Sequence, residues 1–363
     1  MIVALVLAGY AAVLALAGPR TLLRSSWTAR APRLAIGAWQ ALSMSVLSSL
    51  VLAGLALAAP TAPFSTNLAA VLRTCLIAIE RGYATPGGAG AALAGLVLAT
   101  AVAGWSLGCL VTGLARSARE RARHVQALSL VARASEHPDT VVLDHGTPAA
   151  YCLPGRHRRV VLTSAALAAL DKPQLRAVLA HEQAHLAGRH HLVIAAATAL
   201  DRAFPRVPLF VQAHSEIARL VELVADDVAA RRHGRFPVAS AMVTMAAGQA
   251  PSVALAAGGA GTLERVRRLV GPARPLGPGA VLASFAIVVA LLVAPTLAAA
   301  SPAIAAARIP SFPAAITVTR AAMGPNCHDH GTAARRHGGT AARPARPARR
   351  HGGTAARPAR PQH

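Results

Sequence analysis

Four apolar runs, at residues 1–17, 34–59, 91–114 and 276–300, constrain this chain more than any other feature. In lipid every backbone N–H and C=O must be paired within the segment, so such runs cross as helices, which need about 20 apolar residues each. Arginines follow the first run rather than precede it: Arg20, Arg24, Arg30 and Arg33. A cleaved leader has the opposite asymmetry, so despite the small residues Ala15-Leu16-Ala17 the run is expected to be a first span. A second cluster, Arg116, Arg119, Arg121 and Arg123, follows the third run. Positive charge collects on the cytoplasmic side, which predicts cytoplasmic residues 115–275 and both termini outside. Residues 60–90 carry only Arg73, Glu80 and Arg81 as charges and are expected to be an external loop with a short amphipathic helix at 67–83.

Composition bears on the choice of partner. Hydrophobic residues make up 54% of the chain and aromatic residues 3%, with a mean hydropathy of +0.45. This excludes an ordinary soluble protein and makes the lipid bilayer the first partner. A formal charge of +23 invites a nucleic-acid reading, but the arginines flank apolar segments or fill a tail and follow no nucleic-acid-binding module. A nucleic-acid partner is therefore not expected. Within residues 301–363 the segment from Arg336 to Pro347 recurs from Arg350 to Pro361; such a basic repeat cannot bury a core and is expected to be disordered. Cys75, Cys109, Cys152 and Cys327 show no metal-binding spacing. The topology puts Cys75 and Cys327 outside, where a disulfide between them is possible, Cys109 in the membrane and Cys152 inside.

The chain divides into three spans with short loops at 1–114, a cytoplasmic domain at 115–275, a fourth span at 276–300 containing Pro295, and the tail. In the domain, strands are predicted at 140–143, 149–153 and 159–163, with Pro154-Gly155 marking the turn between the last two. Ser164 is read as the cap of a short helix to 170. Asp171, a proline in the first turn at Pro173, and Gln174 at the reciprocal position signal a longer helix that ends near Gly188. Residues 192–200 are apolar but too short to span alone, and Pro205 and Pro208 are read as breaks after them. A helix at 214–233 and a basic amphipathic turn at 263–270 precede the fourth span.

The chemistry is concentrated in Leu179-Ala180-His181-Glu182-Gln183-Ala184-His185. Histidines four apart on a helix lie on one face, one turn apart, so both imidazoles can reach one metal ion. Glu182 stands beside them where it can hold a water. This is the HExxH pattern of zinc hydrolases. Glu222 and Asp226, again four apart on the downstream helix, offer a third ligand and a partner for it. Glu216 competes on the same helix but lies about 120° away around the axis from Glu222, and it reads as a solvated pair with Arg219. His190 and His191 read as surface or interfacial residues. His214, Arg231, Arg232 and His233 are read as a solvated basic face, though an oxyanion-stabilising role is open to them. His328, Asp329 and His330 beside Cys327 sit in the tail.

Taken together, AYCLPG at 150–155, VVLTSAAL at 160–167, QLRAVLAHEQAH at 174–185 and ELVAD at 222–226, set between a third and a fourth span, resemble the BlaR/MecR-type membrane metallopeptidases. They are similar, more distantly, to Ste-type CAAX endoproteases and HtpX-type membrane proteases. The resemblance covers residues 1–300. It implies a mainly α, multi-pass membrane protein with a small α+β zincin-like domain between the third and fourth spans. It further implies one zinc ion on His181, His185 and Glu222, with Glu182 as general base and Asp226 orienting a ligand histidine. The strand from Ala149 or the one from Arg159 would hold the substrate backbone. One departure stands out. The best-known members carry a folded penicillin-binding sensor after the last span, whereas here there is only the tail, so β-lactam sensing is not expected.

The leading expectation is thus a zinc endopeptidase of the cell membrane that cleaves a protein or peptide at the cytoplasmic side, such as a repressor or a membrane protein, in regulated signalling. A non-proteolytic scaffold or receptor with a structural zinc is the alternative, and Glu182 argues against it because structural zinc needs no base. A third reading makes the basic tail a tether to anionic polymers. Substrate, trigger, oxyanion donor and oligomeric state are not written in the sequence.

Overall fold

The computed structural model describes residues 1–58, 88–137, 139–155, 158–248, 259–272 and 275–307. These belong to one compact unit, residues 1–310. The expected amphipathic helix at 67–83, Cys75 and Cys327 with their disulfide, the cluster around His328 and the repeat tail lie outside the described residues.

The described chain is mostly helical. Helix α1 (Ile2–Arg24) and α2 (Pro32–Ala58) are followed by α3 (Gly88–Val131). Among the described residues four helices are long and apolar enough to cross a membrane: these three and the last, α10 (Pro278–Ala307), which contains Pro295. The chain is in this sense a membrane protein. The third helix does not stop at the expected boundary near 114 but runs on through Arg116, Arg119, Arg121 and Arg123 to Val131. Arginine is a good helix former, so the end of the apolar run is not a helix end.

Within a bilayer close approach of backbones holds helices together better than apolar burial does. Helices α2 and α3 meet at Gly54 and Gly95, where a Cβ on Gly54 would stand 2.5 Å from the Gly95 carbonyl oxygen and one on Gly95 would strike that of Gly54. Helix α10 packs on α2 and α1, and most of its surface faces outward.

Between α3 and α10 the described residues form a small sheet and six helices. Strands β1 (Arg133–Ala134), β2 (Thr140–Leu143), β3 (Ala150–Leu153) and β4 (Arg159–Thr163) form one sheet in the order β1-β2-β4-β3. Strand β4 pairs in parallel with β2 and antiparallel with β3, Ala150 opposite Leu162 and Leu153 opposite Arg159. The last two strands flank Pro154-Gly155 as expected. Helix α4 (Ser164–Ala169) is capped by Thr163 rather than Ser164: the Thr163 hydroxyl accepts from the Ala166 N–H. The Ser164 hydroxyl is turned instead to Asp144.

Helix α5 (Lys172–Ala187) carries the HExxH residues. Its capping box is complete, the Asp171 carboxylate accepting from Gln174 N–H at 2.8 Å and the Gln174 side chain accepting from Asp171 N–H at 3.1 Å. Leu179 and Leu186 on one face of α5 pack on Val160 and Leu162 of β4. Helix α6 (His190–Ala203) covers the apolar run at 192–200, and Trp105 of α3 donates its indole N–H to Ala203 O at its end. Helix α7 (Pro208–His233) begins earlier than 214. Pro208 starts it rather than breaking it, because proline in the first turn has no hydrogen bond to lose.

Two helices complete the domain: α8 (Arg235–Ala247) and α9 (Gly259–Val270). The first half of α7 is built into the membrane helices. Leu209, Phe210, Ala213, Ile217, Leu220, Val221 and Leu223 share one core with Trp39, Leu42 and Val46 of α2. The second half turns Ala229 to α5, α8 and α9. One rigid rod therefore links the packing of the spans to the acidic pair.

Candidate metal centre

Helix α5 presents His181 and His185 on one face, with their Nε2 atoms 3.1 Å apart. Helix α7 crosses that face and brings in Glu222. Its Oε2 lies 3.4 Å from His181 Nε2, and its Oε1 lies 3.5 Å from His185 Nε2. Among the described residues these three are the group of metal-ligating side chains whose donor atoms converge. Zinc bonds of about 2.0–2.2 Å arranged as a tetrahedron place ligand atoms about 3.3–3.6 Å apart. The two distances to Glu222 are to different oxygens; with one atom from each residue, all three donors lie within 4.8 Å of one another, and two imidazoles with a carboxylate suit such an ion in chemistry.

Each histidine has a partner behind it. His181 Nδ1 lies 3.0 Å from Asp226 Oδ1, and the Asp226 side chain is fully buried. The ring N–H points off the line of a good hydrogen bond, leaving His181 Nδ1 buried without an aligned acceptor. Behind His185 is His190, whose Nδ1 lies 3.1 Å from His185 Nδ1. His190 is thus not a surface residue: it is 7% exposed. Its place depends on the residues between α5 and α6. Arg189 adopts a left-handed φ of 48° that turns the chain directly from one helix into the next, at a cost of about 1–2 kcal/mol for a non-glycine residue. Gly188 leaves the space into which the His190 ring falls, since a Cβ there would collide with the ring.

Arg265, on α9, was not singled out from the sequence. Its Nε and Nη2 donate to Asp226 Oδ2 and Oδ1 at 2.8 and 2.7 Å, and its Nη1 lies 2.9 Å from Glu222 Oε2. Two more ion pairs clasp α9 to α7. Arg268 binds Asp227 at 2.8 and 3.0 Å, and Arg219 joins Glu216 at 2.9 Å to Glu264 at 2.8 Å. Glu216 is committed to that network and is absent from the metal-ligating group. His214 is held by Asp201 and Thr198 at 3.1 and 3.2 Å. Arg231, Arg232 and His233 are exposed at the end of α7.

The charges interlock. Burial opposes a charge on His181, but the close carboxylates of Asp226 and Glu222 outweigh it and hold the pKa near 9. Burial carries His185 the other way, to about 4. Burial raises the Glu182 carboxyl, with His181 pulling it back. For Glu222 and Asp226, burial is overcome by their cationic neighbours, chiefly His181 for Glu222 and Arg265 for Asp226, and both stay below the usual carboxylate range. Glu182 faces the Cys152 thiol of β3; burial, with the nearby Glu182 charge, pushes that thiol to about 12.

A helix offering two imidazoles one turn apart and a second helix supplying a carboxylate form a group that could hold a metal ion, with a further glutamate beside the first histidine. Residues 115–273 match the family model of Peptidase family M48. That match suggests a metallopeptidase, a hydrolase of a kind typically dependent on zinc, in keeping with the resemblance drawn from the motifs. No curated protein and no solved structure matches the chain.

Proposed function

We propose that this protein is a zinc-dependent endopeptidase of the cell membrane, in which His181, His185 and Glu222 hold the ion and Glu182 is the general base. The observation that carries the reading is the convergence of those three donor groups, one atom of each within 4.8 Å of the others, with Glu182 on the next residue of the same helix turn. Zinc, when bound, supplies Lewis-acid chemistry, making a water acidic enough to ionise near pH 7 and polarising a peptide carbonyl. Glu182 accepts the proton of the attacking water and passes it to the departing amine nitrogen. Asp226 and His190 hold the ligand rings from behind.

Substrate backbone pairs along β3. Both neighbours of β4 are taken, whereas β3 is an outer strand of the sheet and brings Cys152 against Glu182. This chooses β3 over β4, and a peptide laid along it passes the base.

The domain at 115–275 stands on the cytoplasmic side, between the spans of residues 1–114 and 276–300, with both termini outside. The arginine clusters after α1 and in the second half of α3 support this orientation. Substrates are then protein segments near the inner surface, such as a repressor or a membrane protein, cleaved in a regulated signal. Packing of α7 on α2 supports a site close to the bilayer. Trapping tests the proposal: in cells carrying Glu182→Gln, uncleaved proteins accumulate and co-purify with the variant. Identical proteomes in variant and wild-type cells would contradict it.

A further inference from the structure

We infer that Arg265 is a positioning residue that holds Glu222 to a single ligand oxygen, and thereby keeps one coordination position free for water. The inference rests on the zinc-peptidase reading above. Its starting point is the inequivalence of the two Glu222 oxygens. Oε2 is engaged by Arg265 Nη1 at 2.9 Å and lies 3.4 Å from His181 Nε2, while Oε1 lies 3.5 Å from His185 Nε2. A glutamate can bind a metal through one oxygen or through both. A guanidinium hydrogen bond draws electron density from Oε2 and fixes the rotation of the carboxylate, which disfavours binding through both oxygens.

The direction of the Arg265 contact is itself fixed. A guanidinium is planar, with donors in a rigid fork. Two of its nitrogens are spent on the buried Asp226 carboxylate at 2.8 and 2.7 Å, which sets the plane and aims the third at Glu222. The same Asp226 stands 3.0 Å from His181 Nδ1. One arginine therefore orients two of the three ligands, Glu222 directly and His181 through Asp226.

Without Arg265, Glu222 has room to change its mode, since 37% of its side chain is exposed. Both oxygens would then turn to the metal and occupy the position that a water needs. A purely structural role would look different, and the same pair of helices provides the comparison. Arg268 grips Asp227 with two nitrogens at 2.8 and 3.0 Å, clamping α9 to α7 without touching any of the three ligands.

The experiment uses the full chain in detergent, stripped of metal and loaded with Co²⁺. The readouts are the visible absorption of the cobalt form, intense for four-coordinate and weak for five-coordinate cobalt, and turnover of β-casein by the zinc form. Arg265→Lys keeps a positive charge beside Asp226, but a single ammonium cannot reach both carboxylates. It is expected to fold, bind one cobalt with clearly weakened absorption, and lose about tenfold or more in kcat at unchanged KM. Arg268→Lys is expected to keep the wild-type spectrum and kcat. Guanidinium added to Arg265→Ala should restore the intense spectrum. A folded Arg265→Lys with wild-type absorption and kcat overturns the inference, as does an Arg268→Lys that loses as much. Wild-type protein that binds no cobalt overturns the zinc reading itself, and this inference with it.

Discussion

His190 Nδ1 lies 3.1 Å from His185 Nδ1, the two rings set edge to face with their centroids 4.9 Å apart. If His185 gives its Nε2 to a metal, its Nδ1 carries the hydrogen, and His190 is the acceptor that fixes this tautomer. Partners behind a ligand of this kind are worth about 10–100-fold in metal affinity. His190→Ala is accordingly expected to weaken zinc binding by that factor, with His190→Asn milder. Gly188→Ala should mimic it, because the added methyl group displaces the ring. Competition with a chromophoric chelator measures all three, and wild-type affinity in His190→Ala would remove His190 from the centre.

The acids on α7 should separate cleanly. Glu222→Ala is expected to abolish stoichiometric zinc, and Asp226→Ala to cost about 10–100-fold in affinity or activity. Glu216→Ala cuts only an ion pair shared with Arg219 and Glu264 and should change stability by no more than about 1 kcal/mol, with zinc content intact. Metal analysis of the three purified variants decides this, and a metal-free Glu216→Ala with a zinc-loaded Glu222→Ala would exchange their roles.

Cys152 reports on Glu182. With its pKa pushed up to about 12, only about one thiol in ten thousand is ionised at pH 8, and the thiolate is the form that alkylates. Iodoacetamide should therefore label Cys152 far more slowly than a free cysteine at that pH, the rate rising as pH climbs towards 12. Burial is the larger cause and remains in Glu182→Gln, but the like charge is gone, so labelling should accelerate. Peptide mass mapping against time follows it, and rapid labelling of the wild type would contradict the placement of the thiol.

At the crossing of α2 and α3, Gly54→Ala drives a methyl group into the Gly95 carbonyl. Overpacking of this sort costs about 1–3 kcal/mol. The expected result is a lower melting temperature in detergent with unchanged zinc per folded molecule. An unchanged melting temperature would mean that the spans do not meet there.

Much of the domain could be read from local pattern. The capping box at Asp171 and Gln174, the strand runs around Pro154-Gly155 and the four-residue histidine spacing all involve neighbours in sequence, whose geometry follows from helix and strand periods. Misreadings arose where one residue type has two local uses. Pro208 was read as a breaker but starts a helix, and Thr163 rather than its neighbour Ser164 makes the cap. What sequence reasoning missed at the site depends on tertiary packing. The burial of His190 follows from the left-handed turn at Arg189 and the space over Gly188. Arg265 reaches Asp226 only because α9 docks on α7, and in sequence it looks like one arginine among several on a basic turn. An arginine amid a strongly amphipathic segment close downstream of an acidic pair was the available signal.

The most direct measurement is made on Glu182→Gln, purified beside the wild type, with zinc content and β-casein cleavage determined on the same samples. A base that is not a ligand can be lost without losing the metal. The account predicts about one zinc per chain in both proteins and proteolysis in the wild type alone. Cleavage at the wild-type rate by Glu182→Gln, or loss of its zinc together with its activity, would contradict it.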